Sequence, residues 1–591
     1  MRLSVYRAGP VAPARSTSRR VVFALCALWC STVTPLLAQH LNDTGQGNCH
    51  HATASIRTPD PATAGFDAQN CTHEVAATVD AASAVSASPQ VSPRGMPEKP
   101  AGLDDASWDA LQQAIRKAGA QQARLSPEGD PPGADGAASD LFGYSVDLDG
   151  DTALVGAISD DVGANTNQGS AYVFTRSGST WTQEAKLTAG DGAVGDWFGI
   201  SVALDGDTAL VGAYRDAVGG SSYQGSAYVF TRSGNTWTQQ AKLVAADGAA
   251  SDYFGWSVAV DGDTALVGAV LDAVGANSFQ GSVYVFARSG TTWTQQAELT
   301  AGDGETYDLF GTSVALDGDT ALVGAYGDNV GAASDQGSAY VFTRSDTTWT
   351  QQAKLVAGDG ARGDEFGYSV ALDGDTALVG AYQDYVGANS GQGSAYVFTR
   401  SDTTWTQQTK LVAGDGEAGD RFGISVALDG DTALVGAHST GALNINPGSA
   451  YVFTRGGTTW LQQAKLLAGD GVELDLFGTS VDLDGDTALV GAHGYDVGVN
   501  SYQGSAYVFT RRGTTWAQAA TLTAATGAAA DHFGTSVALS STMALVGAPN
   551  VDGLPPYGNP DEGAAYVFRI VLTMFANGFE EPARAITVPR R

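Results

Sequence analysis

Basic residues are scarce in this chain: 31 Lys and Arg stand against 63 Asp and Glu in 591 residues, a formal net charge of −32 at pH 7. So acidic a surface repels nucleic acid and anionic membrane, and neither is an expected partner. Long hydrophobic runs are also missing. The most apolar stretch, Val21 to Ala38, is broken by polar residues and Pro35 and is too short to span a bilayer. It follows a region with five arginines and no acidic residue, so residues 1–38 read as a secretory signal cleaved after Ala38. The mature chain is then exported and soluble, secreted or held at the cell surface, with a formal charge of about −37 once those five arginines are gone.

Catalytic vocabulary is absent as well. No GxSxG, HExxH, phosphate loop or dinucleotide fingerprint occurs. The mature histidines are His40, His50, His51 and His73 near the start, then His438, His493 and His532, which read as unlike places in different units. No catalytic residue, cofactor site or metal site is assigned. Cysteine is rare: Cys26 and Cys30 fall in the signal, leaving Cys49 and Cys71, for which export makes a disulfide the default. The adjoining His50, His51 and His73 keep a zinc site open as the alternative.

What the chain has in abundance is repetition. A Phe-Gly pair recurs at Phe142, Phe198, Phe254, Phe310, Phe366, Phe422, Phe477 and Phe533, spaced by 56 residues with one spacing of 55. Within the second copy, Ser201–Leu204 and Thr208–Ala213 flank Asp205-Gly206, a dipeptide typical of a two-residue hairpin. Gly225–Arg232 is apolar on both faces and needs cover on both. Thr236–Leu243, rich in Gln and Lys, reads as an edge strand. Four such strands per unit, covered on both faces, predict an all-β fold: a β-propeller of about eight four-stranded blades. The eighth copy lacks the fourth strand, and Gln121-Gln122-Ala123-Arg124-Leu125 ahead of the first copy supplies its match, so an N-terminal strand is expected to close the ring. Seven blades with one divergent unit is the alternative.

The FG opening, the VGA that ends the hairpin and the VGAP at Val546–Pro549 resemble FG-GAP repeats, the family typified by the integrin α-subunit propeller. The resemblance spans residues 120–571 and implies fold rather than activity. Outside it, 39–102 forms a cysteine-containing segment and an Ala/Ser/Pro-rich linker. Trp108, Leu111 and Ile115 mark a short helix over 103–119, and 572–591 is a tail carrying FANGFE.

Three acidic series recur. The hairpin turns carry Asp149 and Asp151, Asp205 and Asp207, Asp261 and Asp263, Asp317 and Asp319, Asp373 and Asp375, Asp429 and Asp431, and Asp484 and Asp486. The calcium loop that the integrin-type family places between its FG and GAP elements is shortened here to LDGD, which favours turn chemistry. Loops before FG carry pairs such as Asp191 and Asp196, or Asp135 and Asp140 in the first copy. Loops after VGA carry Asp160, Asp216, Asp272, Asp328 and Asp384. If two of these loops meet, weak Ca²⁺ binding is open to them; turn capping is the plainer expectation.

Other candidates are read conservatively. Arg362-Gly363-Asp364 spells an integrin-recognition tripeptide by coincidence with the repeat. The regular Trp181, Trp237, Trp293, Trp349, Trp405, Trp460 and Trp516 suit inter-blade packing ahead of glycan stacking. Arg232 and Lys242 read as solvated edge charges. The loops of copies six and eight depart most from the repeat, which makes His438, Asn444, Asn446, Asn550, Asp552 and Tyr557 the candidate ligand-loop residues. The expectation is an exported non-catalytic binding or adhesion module for a protein or glycan at a cell surface. A structural surface or matrix component is the alternative, and a carbohydrate-processing enzyme a distant one.

Overall fold

A computed structural model describes residues 119–127, 139–439, 446–550 and 562–570. These residues form eight four-stranded antiparallel sheets and contain no helix, so no helix among them is long and apolar enough to cross a membrane. Each sheet is one repeat, as the second shows: Val202–Asp205, Thr208–Ala213, Ser226–Ser233 and Thr236–Leu243 pair in sequence order. The turn Asp205-Gly206-Asp207 joins the first two, with Gly206 at φ 56°, as the hairpin reading predicts.

The eighth sheet settles the closure. Its strands Val537–Ser540, Met543–Ala548 and Ala564–Ile570 are completed by Gly119–Leu125, which pairs antiparallel with Ala564–Ile570. Gly119, expected to end a helix, is the first residue of this strand. The ring therefore has eight blades, the last made from both ends of the repeat array.

Each core lies between blades, not within one. Leu154, Val173 and Leu187 of blade 1 pack with Phe198, Val202, Val211, Tyr228 and Trp237 of blade 2. The cluster of Leu125, Leu545 and Val567 with Phe142, Val155 and Tyr172 does the same between blade 8 and blade 1. Phe198 explains the FG motif: fully buried, it meets the rings of Tyr228 and Phe230 at 5.4 and 6.1 Å. Truncating such a phenylalanine costs ~3–5 kcal/mol. Gly199 sits at φ 96°, where a Cβ would fall 2.5 Å from the Ser170 carbonyl of the preceding blade, so only glycine allows that approach.

Two rings of hydrogen bonds run round the whole circle. The serine after FG donates to the FG glycine carbonyl of the next blade, from Ser145 to Gly199 at 2.8 Å through to Ser536, which returns to Gly143 at 2.9 Å. The first turn aspartate accepts from the next turn's backbone, from Asp149 and Gly206 to Asp484 and Ser541, and Ser540 closes the series by accepting from Gly150 at 3.1 Å. In the closing strand, Gln121 accepts from Ala525 N and Gln122 from Trp181 Nε1, the bonds that Gln239 and Gln240 make elsewhere with Gly190 and Trp293.

Candidate functional site

The strand order puts hairpin turns on one face of the ring and the two long loops of every blade on the other. On the turn face, the second aspartate of each of the seven Asp-Gly-Asp turns is spent on an arginine. Arg232 Nε donates to Asp207 at 2.6 Å and Nη1 to Thr152 of the preceding blade at 3.2 Å, while the guanidinium lies 5.4 Å from the Trp237 ring centre. The same arrangement holds from Arg288 to Arg511. Arg232 is thus an inter-blade clamp, not the solvated edge charge expected from sequence. Its partners lie 25 and 80 residues away, out of reach of local reading. Trp181, Trp237, Trp293, Trp349, Trp405 and Trp460 are buried and Trp516 half-buried, as packing requires.

On the long-loop face the second and third acidic series do meet. Asp191 and Asp216 converge on Tyr228, whose hydroxyl oxygen lies 3.0 Å from a carboxylate oxygen of each. Lys242 sits between them, its Nζ 2.5 Å from Asp191 and 2.7 Å from Asp216. The lysine, also read as a free edge charge, stands where a metal cation would have to sit. Burial alone would raise the Asp191 pKa, but the bonds from Lys242 and Tyr228 hold it below the usual carboxylate range. Blades 4 and 5 repeat the cluster with Lys354 and Lys410. Blade 3 differs, because Glu298 replaces the lysine beside Asp247 and Asp272.

The aspartate two residues before each FG phenylalanine is buried and caps its own loop: Asp196 accepts from Ala193 N at 2.6 Å and Asp364 from Ala361 N at 2.6 Å. Burial pushes Asp196, Asp252, Asp364 and Asp475 up to about 6 and Asp308 to about 7. Asp364, fully buried, is not presented to a receptor, so Arg362-Gly363-Asp364 is not an exposed recognition loop.

Differences between copies collect on this same face. At six of the blade junctions, the residue before FG and the residue before the loop's Gln-Gly both take left-handed backbone and are joined by a backbone hydrogen bond. The pairs include Tyr253 with Tyr223 (3.2 Å), Glu365 with Asp335 (3.2 Å), Arg421 with Gly391 (3.0 Å) and His532 with Tyr502 (3.1 Å). An aromatic there is strained unless the fold holds it. One junction is aromatic, with Tyr214, Tyr253 and Trp256 in mutual contact; the next but one is acidic. At the junction of blades 5 and 6 the loop residue is Gly391, and where Tyr223 or Tyr502 carries a ring there is instead a cavity of 430 Å³. It is lined by Arg362, Gly363, Gln383, Tyr385, Ser390, Gly391, Gly419 and Arg421.

Eight stretches of the chain, 121–174, 181–230, 237–286, 293–342, 349–398, 405–453, 460–509 and 516–568, match the FG-GAP repeat. The chain belongs to the FG-GAP repeat family. Each FG-GAP match after the first begins in the fourth strand of one blade and ends in the third strand of the next; the first begins inside the closing strand. Among solved structures, a crystal structure of Saccharomyces cerevisiae Sqt1 is similar over 76% of this chain and 99% of that one, at 12% identity and a TM-score of 0.43. No curated protein matches the chain.

The ligand-loop candidates fare unevenly within this FG-GAP ring. His438 is buried, its Nδ1 without a partner, and burial, with Arg421 and His493 nearby, lowers its pKa to about 3. His438 and His493 both directly follow VGA, so they are equivalent positions and not the unlike places expected. Asn446 closes its own loop, donating to Asp420 at 2.9 Å and accepting from Gly448 N at 2.8 Å. Asn550 is held by its backbone N on the Asp531 carbonyl at 3.3 Å. Asn444, Asp552, Tyr557, Cys49, Cys71, Asp135, the signal, most of the 103–119 segment and the tail lie outside the described residues. Sequence reading passed over the Gly391 junction, although glycine where other copies hold Tyr, Phe or Asp was a visible sign.

Proposed function

We propose that this FG-GAP propeller is an exported, non-catalytic binding module that takes a cell-surface protein or glycan on its long-loop face. One observation carries the reading. Side chains common to the copies are engaged in bonds between and within blades, whereas differences between copies gather on one face and give each junction its own chemistry. A rigid scaffold displaying variable loops is the arrangement expected of recognition. The leader-like residues 1–38 support export.

The test is to express the full chain with its own leader, recover it from outside the cell, and titrate it against immobilised glycans and intact cells. Saturable binding is expected. Efficient export and surface retention with no saturable partner would instead favour a structural surface component.

A further inference from the structure

We propose that the cavity between blades 5 and 6 binds the carboxylate of an acidic sugar residue, an inference that rests on the binding-module reading. Among the described residues only three arginines, Arg215, Arg362 and Arg421, stand in long loops; the other basic side chains stand on third or fourth strands. Arg215 is engaged, its Nε on the Tyr214 hydroxyl at 3.0 Å and its guanidinium 3.5 Å from the Trp197 ring centre. Arg362 and Arg421 both line this cavity; the Arg421 guanidinium lies 5.9 Å from the Tyr382 ring centre, and among the described residues neither arginine has a carboxylate within ion-pair distance. In a chain of net charge −32, two guanidiniums on one opening, neither paired with a carboxylate, form an anion site.

The rest of the lining favours a sugar acid over a bare anion or an acidic peptide. Ser390 and Gln383 offer neutral polar groups suited to hydroxyls, and Gly363, Gly391 and Gly419 leave backbone accessible. Tyr385 is 58% exposed, a ring on which a pyranose can stack. No aliphatic side chain lines the opening, so it lacks the apolar subsite a peptide side chain would use. The 430 Å³ is within the range of small-ligand pockets.

The experiment is calorimetric titration of the full secreted chain with a uronic-acid tetrasaccharide, a neutral-hexose tetrasaccharide and inorganic sulfate. The uronate should bind saturably and more weakly as salt rises. Arg362→Gln and Arg421→Gln should each weaken it about tenfold or more. Gly391→Tyr, which places at this position the residue found at Tyr223 and Tyr502, should abolish binding while leaving the thermal midpoint near wild type. Arg215→Ala, at another junction, should change nothing. Absence of uronate binding, equal binding of the neutral sugar, or binding of sulfate alone would each overturn the inference. If a glycan or cell partner found in the wider panel still binds Gly391→Tyr, this cavity is wrong and the binding-module reading stands; if no partner binds the full chain, both fall.

Discussion

Blade 3 contains a natural defect that one substitution should repair. In blades 2, 4 and 5 a lysine Nζ stands 2.5–2.7 Å from two aspartates, whereas in blade 3 Glu298 faces Asp247 and Asp272. Burial, then Asp247 and Asp272, raise the Glu298 pKa, and burial raises that of Asp272. Glu298→Lys replaces that repulsion with two charge-assisted hydrogen bonds, nominally ~1.5–3 kcal/mol each. Solvent screening at this exposed position and lysine ordering reduce the net to about 1–2 kcal/mol. For a ring of about 450 residues this is a rise in thermal midpoint of ~1–2 °C. The pH dependence fixes the cause. A carboxyl with a raised folded-state pKa contributes stability below its unfolded value and loses it as pH rises through the folded one. The gain from Glu298→Lys should therefore be widest near pH 8 and shrink towards pH 5 in scanning calorimetry. A lower midpoint at pH 8, or a gain that does not depend on pH, would refute the reasoning, and Lys354→Glu in blade 4 should produce the mirror-image loss.

Further outcomes follow from the same geometry. Asp196, Asp252, Asp364 and Asp475, raised to about 6, and Asp308, raised to about 7, bind protons in the folded state that the unfolded chain releases. The wild-type midpoint should rise by about 2–5 °C between pH 8 and pH 5, and a flat or falling profile over that window would contradict the burial argument. Ser536→Ala leaves the buried Gly143 carbonyl without its donor and should cost about 1–2 kcal/mol by denaturant unfolding. Removing residues 119–125 exposes the edge of Ala564–Ile570 and should give concentration-dependent self-association by light scattering; a monomer with unchanged stability would show that the closing strand is dispensable.

Much of the fold was legible because the repeat states it eight times. The FG spacing, the Asp-Gly hairpins, and the lack of a WTQQAKL-like sequence after Val571 beside the QQARL at 121–125 together pointed to eight blades and to the closure, with seven blades as the alternative. Duties set across blades were hidden. Arg232 and Lys242 look like surface charges until the ring brings Asp207, Thr152, Asp191 and Asp216 to them. The variable loops drew attention to Asn446 and His438, yet the first is consumed in closing its loop and the second is buried. The cavity beside them comes from what Gly391 omits, and an omission shows only when the other junctions are laid against it.

The most direct measurement is differential hydrogen exchange on the full chain, free and saturated with the partner that the glycan and cell panel selects. Recognition by the long-loop face predicts protection confined to segments such as 217–225, 249–253, 385–393 and 417–421, with the hairpin turns at Gly206, Gly262 and Gly374 unchanged. Protection centred on those turns, or spread evenly over both faces, would contradict it.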